Sequence, residues 1–136
     1  MAKVTVSKVF RGSLQKDIMR KAKNVCALIL RDEGYARRGD VGITFVDDEH
    51  IRQLNRKHRK LDRATDVLSF ATGEERFLGD VVISIDTAKR NAKRFKTTIS
   101  DEIKRLTVHG TLHLLGYDHD DVKDRAQMRE KEGHYI

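Results

Sequence analysis

His109-Gly110-Thr111-Leu112-His113-Leu114-Leu115-Gly116-Tyr117-Asp118-His119 is the stretch on which the reading of this chain turns. His109 and His113 are four residues apart, so on a helix they share one face a single turn apart. Gly116 can end that helix in a left-handed conformation, and the returning chain can then present His119. Three imidazoles around one point, with a coordination position left over, is the pattern of a catalytic metal rather than a structural one. The segment before and through the motif is apolar nearly all round, with Ile103, Leu106, Val108, Leu112, Leu114 and Leu115. A helix of that kind is buried centrally. Histidines inside it need partners, since an unpartnered buried polar group costs about 1–3 kcal/mol. A backbone carbonyl would serve a lone histidine; for three at this spacing a metal is the economical partner.

Working outward, the punctuation and periodicity predict β-α-β-α-β-β-α-α-α. Strands are expected at 3–9, at Val41–Val46, at Val67–Ala71 and at Leu78–Ile85, the last being the most apolar and therefore central. Ser13, Asp47 or Asp48, Asp86, Ser100 and Asp120 or Asp121 are the expected helix caps. The helix after Ser13 carries Leu14, Ile18, Val25 and Ile29 at helical spacing, and the last helix carries Val122, Ala126 and Met128 or Arg129. This order predicts an α+β domain over residues 1–136: one small mixed sheet of about four strands, helices mostly on one side, and a buried central helix bearing the metal motif.

Composition narrows the setting. Lys and Arg number 28 against 21 Asp and Glu, giving +7 and a pI near 9.7, which favours a polyanionic partner such as nucleic acid over a merely solvated charged surface. Aromatic residues are only 6% with no Trp, which argues against a long stacking platform for single strands. The lone Cys26 lies in an apolar helical stretch and reads as a small core residue. With no disulfide available, no signal-peptide pattern and no long apolar run, a cytoplasmic chain with no membrane segment is expected.

The spacing HxxxHxxGxxH equals that of metzincin peptidases, whose motif places a Glu general base directly after the first histidine. Here that position is Gly110, so the protease base is missing. A three-histidine centre with neutral ligands keeps the metal's full charge, acts as a Lewis acid and acidifies water. Zinc suits such nitrogen donors best, and nickel, cobalt and iron are compatible with the same set. Glu102, two turns before His109, either serves the site by orienting a ligand or accepting a proton, or is an ordinary first-turn acid. Asp118 is either an outer partner of a ligating imidazole or a turn residue. Upstream, Leu54-Asn55-Arg56-Lys57-His58-Arg59-Lys60 is basic, and Asn55 and Arg59 share a helical face. A guanidinium beside a Lewis-acid metal suits a phosphodiester, whose transition state gathers negative charge on oxygen.

Taken together, Leu54-Asn55 through Arg59, Thr65-Asp66-Val67-Leu68-Ser69-Phe70, Gly79-Asp80 and His109-Gly110 through Asp118-His119 resemble the YbeY family over nearly the whole chain. Those proteins are bacterial single-strand-specific metallo-endoribonucleases of rRNA maturation. The resemblance implies a zincin-like fold and one zinc held by His109, His113 and His119. It implies Arg59 as the functional arginine; the basic residues beside it, Arg56, Lys57 and Lys60, are expected RNA contacts. It also implies 16S rRNA 3′-end maturation and ribosome quality control, with the small ribosomal subunit and its assembly factors as partners; a monomer is expected. The family's usual prolines around the Thr-Asp-Val-Leu-Ser-Phe block are replaced by Ala64 and Ala71, which loosens the backbone but removes no chemical group. Two other readings are a non-catalytic ribosome-assembly factor with a structural metal, and a metal-dependent hydrolase of another substrate.

Overall fold

A computed structural model describes residues 2–35, 37, 39–74, 76–118 and 121–136. The order is β1 (Val4–Val9), α1 (Lys16–Asp32), β2 (Asp40–Val46), α2 (Asp48–Arg59), β3 (Val67–Ala71), β4 (Phe77–Ser84), α3 (Ile85–Arg94), α4 (Ile99–Leu114) and α5 (Val122–Tyr135), as the sequence pattern predicts. The sheet runs β1-β2-β4-β3, so the most apolar strand, β4, is indeed internal. β1, β2 and β4 are parallel, and β3 pairs antiparallel to β4 at one edge.

Period-two alternation sends side chains to two differently used faces. Val4, Val41, Ile43, Phe45, Val81 and Ile83 form one core with Ile18, Ala22, Cys26 and Leu30 of α1 and with Ile103 and Leu106 of α4. On the other face Val46, Leu68 and Val82 pack against Ile51, so α2 alone lies there. α4 carries a further core on its far side: Val108 and Leu112 meet Val25 and Ile29 of α1 and Met128 and Tyr135 of α5. It is therefore enclosed by the sheet, α1 and α5, which accounts for its all-round apolar composition.

Several caps differ from expectation. α1 begins at Gln15 without a side-chain cap, not at Ser13. α3 is capped by Ser84, the last residue of β4, whose Oγ accepts from the Thr87 N–H at 3.2 Å; Asp86 instead accepts the Asp48 N–H of α2. Thr98, not Ser100, caps α4 by accepting from the Asp101 N–H at 3.0 Å. At α3 and α4 the residue that caps stands two positions before another of suitable chemistry, Asp86 or Ser100, while at α1 no side chain caps. In α5, Asp121 is the cap as expected, but Val122 is 74% exposed and Ala126 is exposed; the buried stripe is set by Met128 and Tyr135, seven residues apart.

Candidate active site

His109 and His113 stand one turn apart on α4, with ring centroids 4.9 Å apart and planes at 70°. Both line a cleft of about 670 Å³ whose wall also includes Arg59, Arg63, Asp66 and Asp118. α4 ends as the sequence predicts. Gly116 adopts φ 98° and donates to the His113 carbonyl at 3.1 Å, while Tyr117 N–H reaches back to Leu112 O at 3.1 Å. That double closure is a Schellman motif, and Tyr117 packs against the apolar cluster that includes Leu112, the kind of contact that often accompanies it. The chain therefore leaves the helix with Asp118 on the wall of the cleft. The third expected ligand, His119, lies outside the described residues, and among the described residues no cluster of three metal-ligating groups is complete. Two imidazoles sharing one helical face in an open cleft match the nitrogen-donor chemistry of a divalent transition metal.

Gly110 has a structural reason beyond the absence of a protease base. A Cβ there would lie 2.6 Å from Val81 Cγ1, 3.1 Å from Val67 Cγ2 and 3.2 Å from Ser69 Oγ. This position faces the sheet at close quarters, so a Glu would be driven into β3 and β4. Ser69 Oγ donates to the Gly110 carbonyl at 2.8 Å, fixing the edge strand against the helix that bears the histidines.

Arg59 is the last residue of α2 and donates from Nη2 to the Ser69 carbonyl at 3.3 Å. Ser69 thus touches the arginine with its backbone and the histidine helix with its side chain. Lys60 ends α2 in the left-handed region at φ 58°, and Asn55 Nδ2 donates to Arg63 O at 3.0 Å, drawing the following loop back against the helix. Arg63 reaches the cleft wall by this route. Arg56, Lys57 and Lys60 are exposed on the same helix end and do not form the wall of the cleft.

Glu102 is only 2% exposed and has no part in the histidine cleft. It accepts a two-pronged contact from Arg105, at 2.8 Å from Nε and 2.7 Å from Nη2, and a third bond from Asn91 at 3.0 Å. A different carboxylate reaches a histidine: Glu132 of α5 places Oε1 3.4 Å from His109 Nδ1. Nothing local in the sequence pairs these residues, which lie 23 positions apart. Glu33, beyond the end of α1, accepts from Tyr117 OH at 2.5 Å, Tyr135 OH at 2.9 Å and Lys131 Nζ at 3.1 Å. Burial alone would raise its pKa, but these three donors hold the carboxyl below the usual range. Glu33 thereby joins α1, α5 and the residue next to Asp118.

The family described as Endoribonuclease YbeY matches residues 7–136. The chain belongs to the endoribonuclease YbeY family. It is similar to an Endoribonuclease YbeY of Desulforamulus reducens, 44% identical over 130 residues that cover 88% of this chain and 85% of the relative. A second relative of that name, from Clostridioides difficile, is 36% identical over 132 residues, covering 90% and 86%. Among solved structures, the solution structure of TM1509 from Thermotoga maritima superposes with a TM-score of 0.69 at 29% identity, covering 97% of this chain and 85% of that one. For a YbeY-family chain, two features of the surroundings are consistent with the expectations from sequence. Cys26 is buried, and burial pushes its thiol up to about 11, so it is an inert core residue rather than a nucleophile. Among the described residues no helix is long and apolar enough to cross a membrane.

Proposed function

We propose that residues 1–136 act as one metal-dependent endoribonuclease domain that cleaves single-stranded RNA, with His109, His113 and His119 as metal ligands and Arg59 as the catalytic arginine. The observation that carries this reading is the convergence of Arg59 with His109 and His113 on one cleft in a chain of the YbeY family. A divalent metal, zinc by preference, would supply Lewis-acid charge and lower the pKa of water. Arg59, steadied on the Ser69 carbonyl, meets the negative charge that develops on the phosphate oxygens, and Arg63 holds an adjoining phosphate. Arg56, Lys57 and Lys60 extend this positive surface outside the cleft as RNA contacts. Asp118 on the cleft wall orients a ligand or carries a proton. The excess of 28 basic over 21 acidic residues supports a nucleic-acid substrate. The physiological substrate in this reading is the 3′ end of 16S rRNA on the small ribosomal subunit with its assembly factors, in the cytoplasm, with ribosome quality control as the consequence.

The test is cleavage of single-stranded RNA by the purified chain, by Arg59→Ala and by His113→Ala, all prepared identically to control for contaminating ribonuclease. Arg59→Ala is expected to lose about 10²–10³ in rate, as removal of one charge-stabilising donor does. His113→Ala and chelation are expected to abolish cleavage. Full activity of both variants after chelation would overturn the reading.

A further inference from the structure

We propose that Glu132 is the positioning residue for His109: its carboxylate accepts the Nδ1 proton and so makes Nε2 the nitrogen offered to a metal. The proposal rests on the metal centre given above. The Oε1 to Nδ1 distance is 3.4 Å, with Glu132 22% and His109 28% exposed at their side chains. This is longer than the 2.7–3.2 Å of a relaxed N–H···O bond. A ligating histidine characteristically gives its other ring proton to a carboxylate, which fixes the tautomer, orients the ring and raises its basicity.

A competing cation for Glu132 is Arg105, one turn before His109 on α4, since the arginine feels the charge of Glu132. Its guanidinium, however, is already forked onto Glu102 through two bonds of 2.8 and 2.7 Å. The buried Glu102 thus occupies Arg105, and the Glu132 carboxylate is turned to the imidazole. The backbone that carries Glu132 is pinned from both sides. Met128, one turn earlier, is buried against Val108 and Leu112 of α4. Lys131 and Tyr135 flank it, and both are bonded to Glu33. A site group held by packing and outer hydrogen bonds keeps its geometry far better than one on a loose surface turn.

The experiment measures zinc and cobalt affinity by competition with a chromophoric chelator for the wild-type chain, Glu132→Gln and Glu132→Ala. It is paired with apo-protein melting in chelator and with NMR detection of the His109 Nδ1 proton. Glu132→Ala is expected to bind metal about 10–100-fold more weakly. Its apo melting temperature should change by only a few degrees, and the Nδ1 proton signal should be lost to exchange. Glu132→Gln keeps an acceptor without the charge, so it should retain the signal and fall between the other two in affinity. It also decides the matter if the alanine variant does not fold. Metal affinity equal to wild type in both variants overturns the role of Glu132, as does a lowered apo melting temperature with affinity unchanged. A wild-type chain that takes up no metal overturns the centre and Glu132 together. A chain that binds metal in this Glu132-dependent way yet cuts no RNA overturns only the proposed activity.

Discussion

The two halves of α4 place polar groups beside the same core and use them in opposite ways. In the first half Glu102 is buried, and its oxygens are taken by Arg105 and Asn91. In the second half His109 and His113 stand on the wall of an open cleft, and the contact from Glu132 reaches only the Nδ1 side of His109. The difference teaches how to sort buried polar groups. One whose bonding capacity is met by protein neighbours is part of the scaffold. One held by the scaffold at one atom and presented to a cleft at another is equipped for chemistry.

The largest expected effect lies at the junction of the two halves. Gly110→Glu recreates the protease-like His-Glu pattern in sequence but drives a carboxylate into Val81, Val67 and Ser69. Loss of more than about 4 kcal/mol is expected, the range of a buried unpaired charge with overpacking. Thermal denaturation should show loss of cooperative folding, and a folded, peptide-cleaving variant would break the comparison outright. Next comes Glu102→Ala, which strands Arg105. Breaking a buried pair costs about 3–5 kcal/mol, and because Arg105 is 38% exposed we expect about 2 kcal/mol by denaturant titration. Metal affinity should fall less than in Glu132→Ala, and only because the freed Arg105 can draw on Glu132; a larger fall would show that the first half of the helix serves the site directly.

Ser69→Ala removes the bond to the Gly110 carbonyl and should lower stability by about 1 kcal/mol, checked by the same titration. The carbonyl that accepts from Arg59 is backbone and remains in alanine, so RNA cleavage should fall only as far as a looser fit of β3 on α4 shifts that carbonyl, and by less than in Arg59→Ala. The smallest effect concerns acid. Glu33 has a native pKa below its ordinary 4.5, so its contribution is full above that value and is lost as pH falls through the native pKa. Melting temperature followed from about pH 6 to about pH 3 should drop less steeply in Glu33→Gln than in wild type. An identical slope would show that the Tyr117–Glu33–Tyr135 cluster adds nothing through its charge.

Much of this molecule was legible along the chain because the signals are local. The apolar circumference of α4 announced its burial, and the run at Leu78–Ile85 announced a central strand. Gly116 marked the helix end, where only a residue without Cβ adopts φ 98° cheaply. The basic turn ending at Arg59 was visible, but its approach to the histidines rested on resemblance until β3 and Ser69 supplied the bridge. The caps at Ser84 and Thr98 were not legible because a second residue of capping chemistry, Asp86 or Ser100, adjoins each helix start, and α1 uses no side-chain cap at all. Glu102 lies two turns before His109, but it also lies three residues before Arg105 on the same helix, and that nearer pairing is the one the structure uses.

By itself the sequence determined the helical register of His109 and His113, the turn after them and the apolar faces, since each follows from backbone geometry repeated over a few residues. Only the tertiary structure decided which carboxylate meets which cation or imidazole. It pairs Glu132 with His109 and Glu33 with a tyrosine 84 positions away. It also turned Gly110 from a missing base into a contact surface. The physical reason is that such pairings depend on distances between elements, which packing of the whole core sets and no local period encodes.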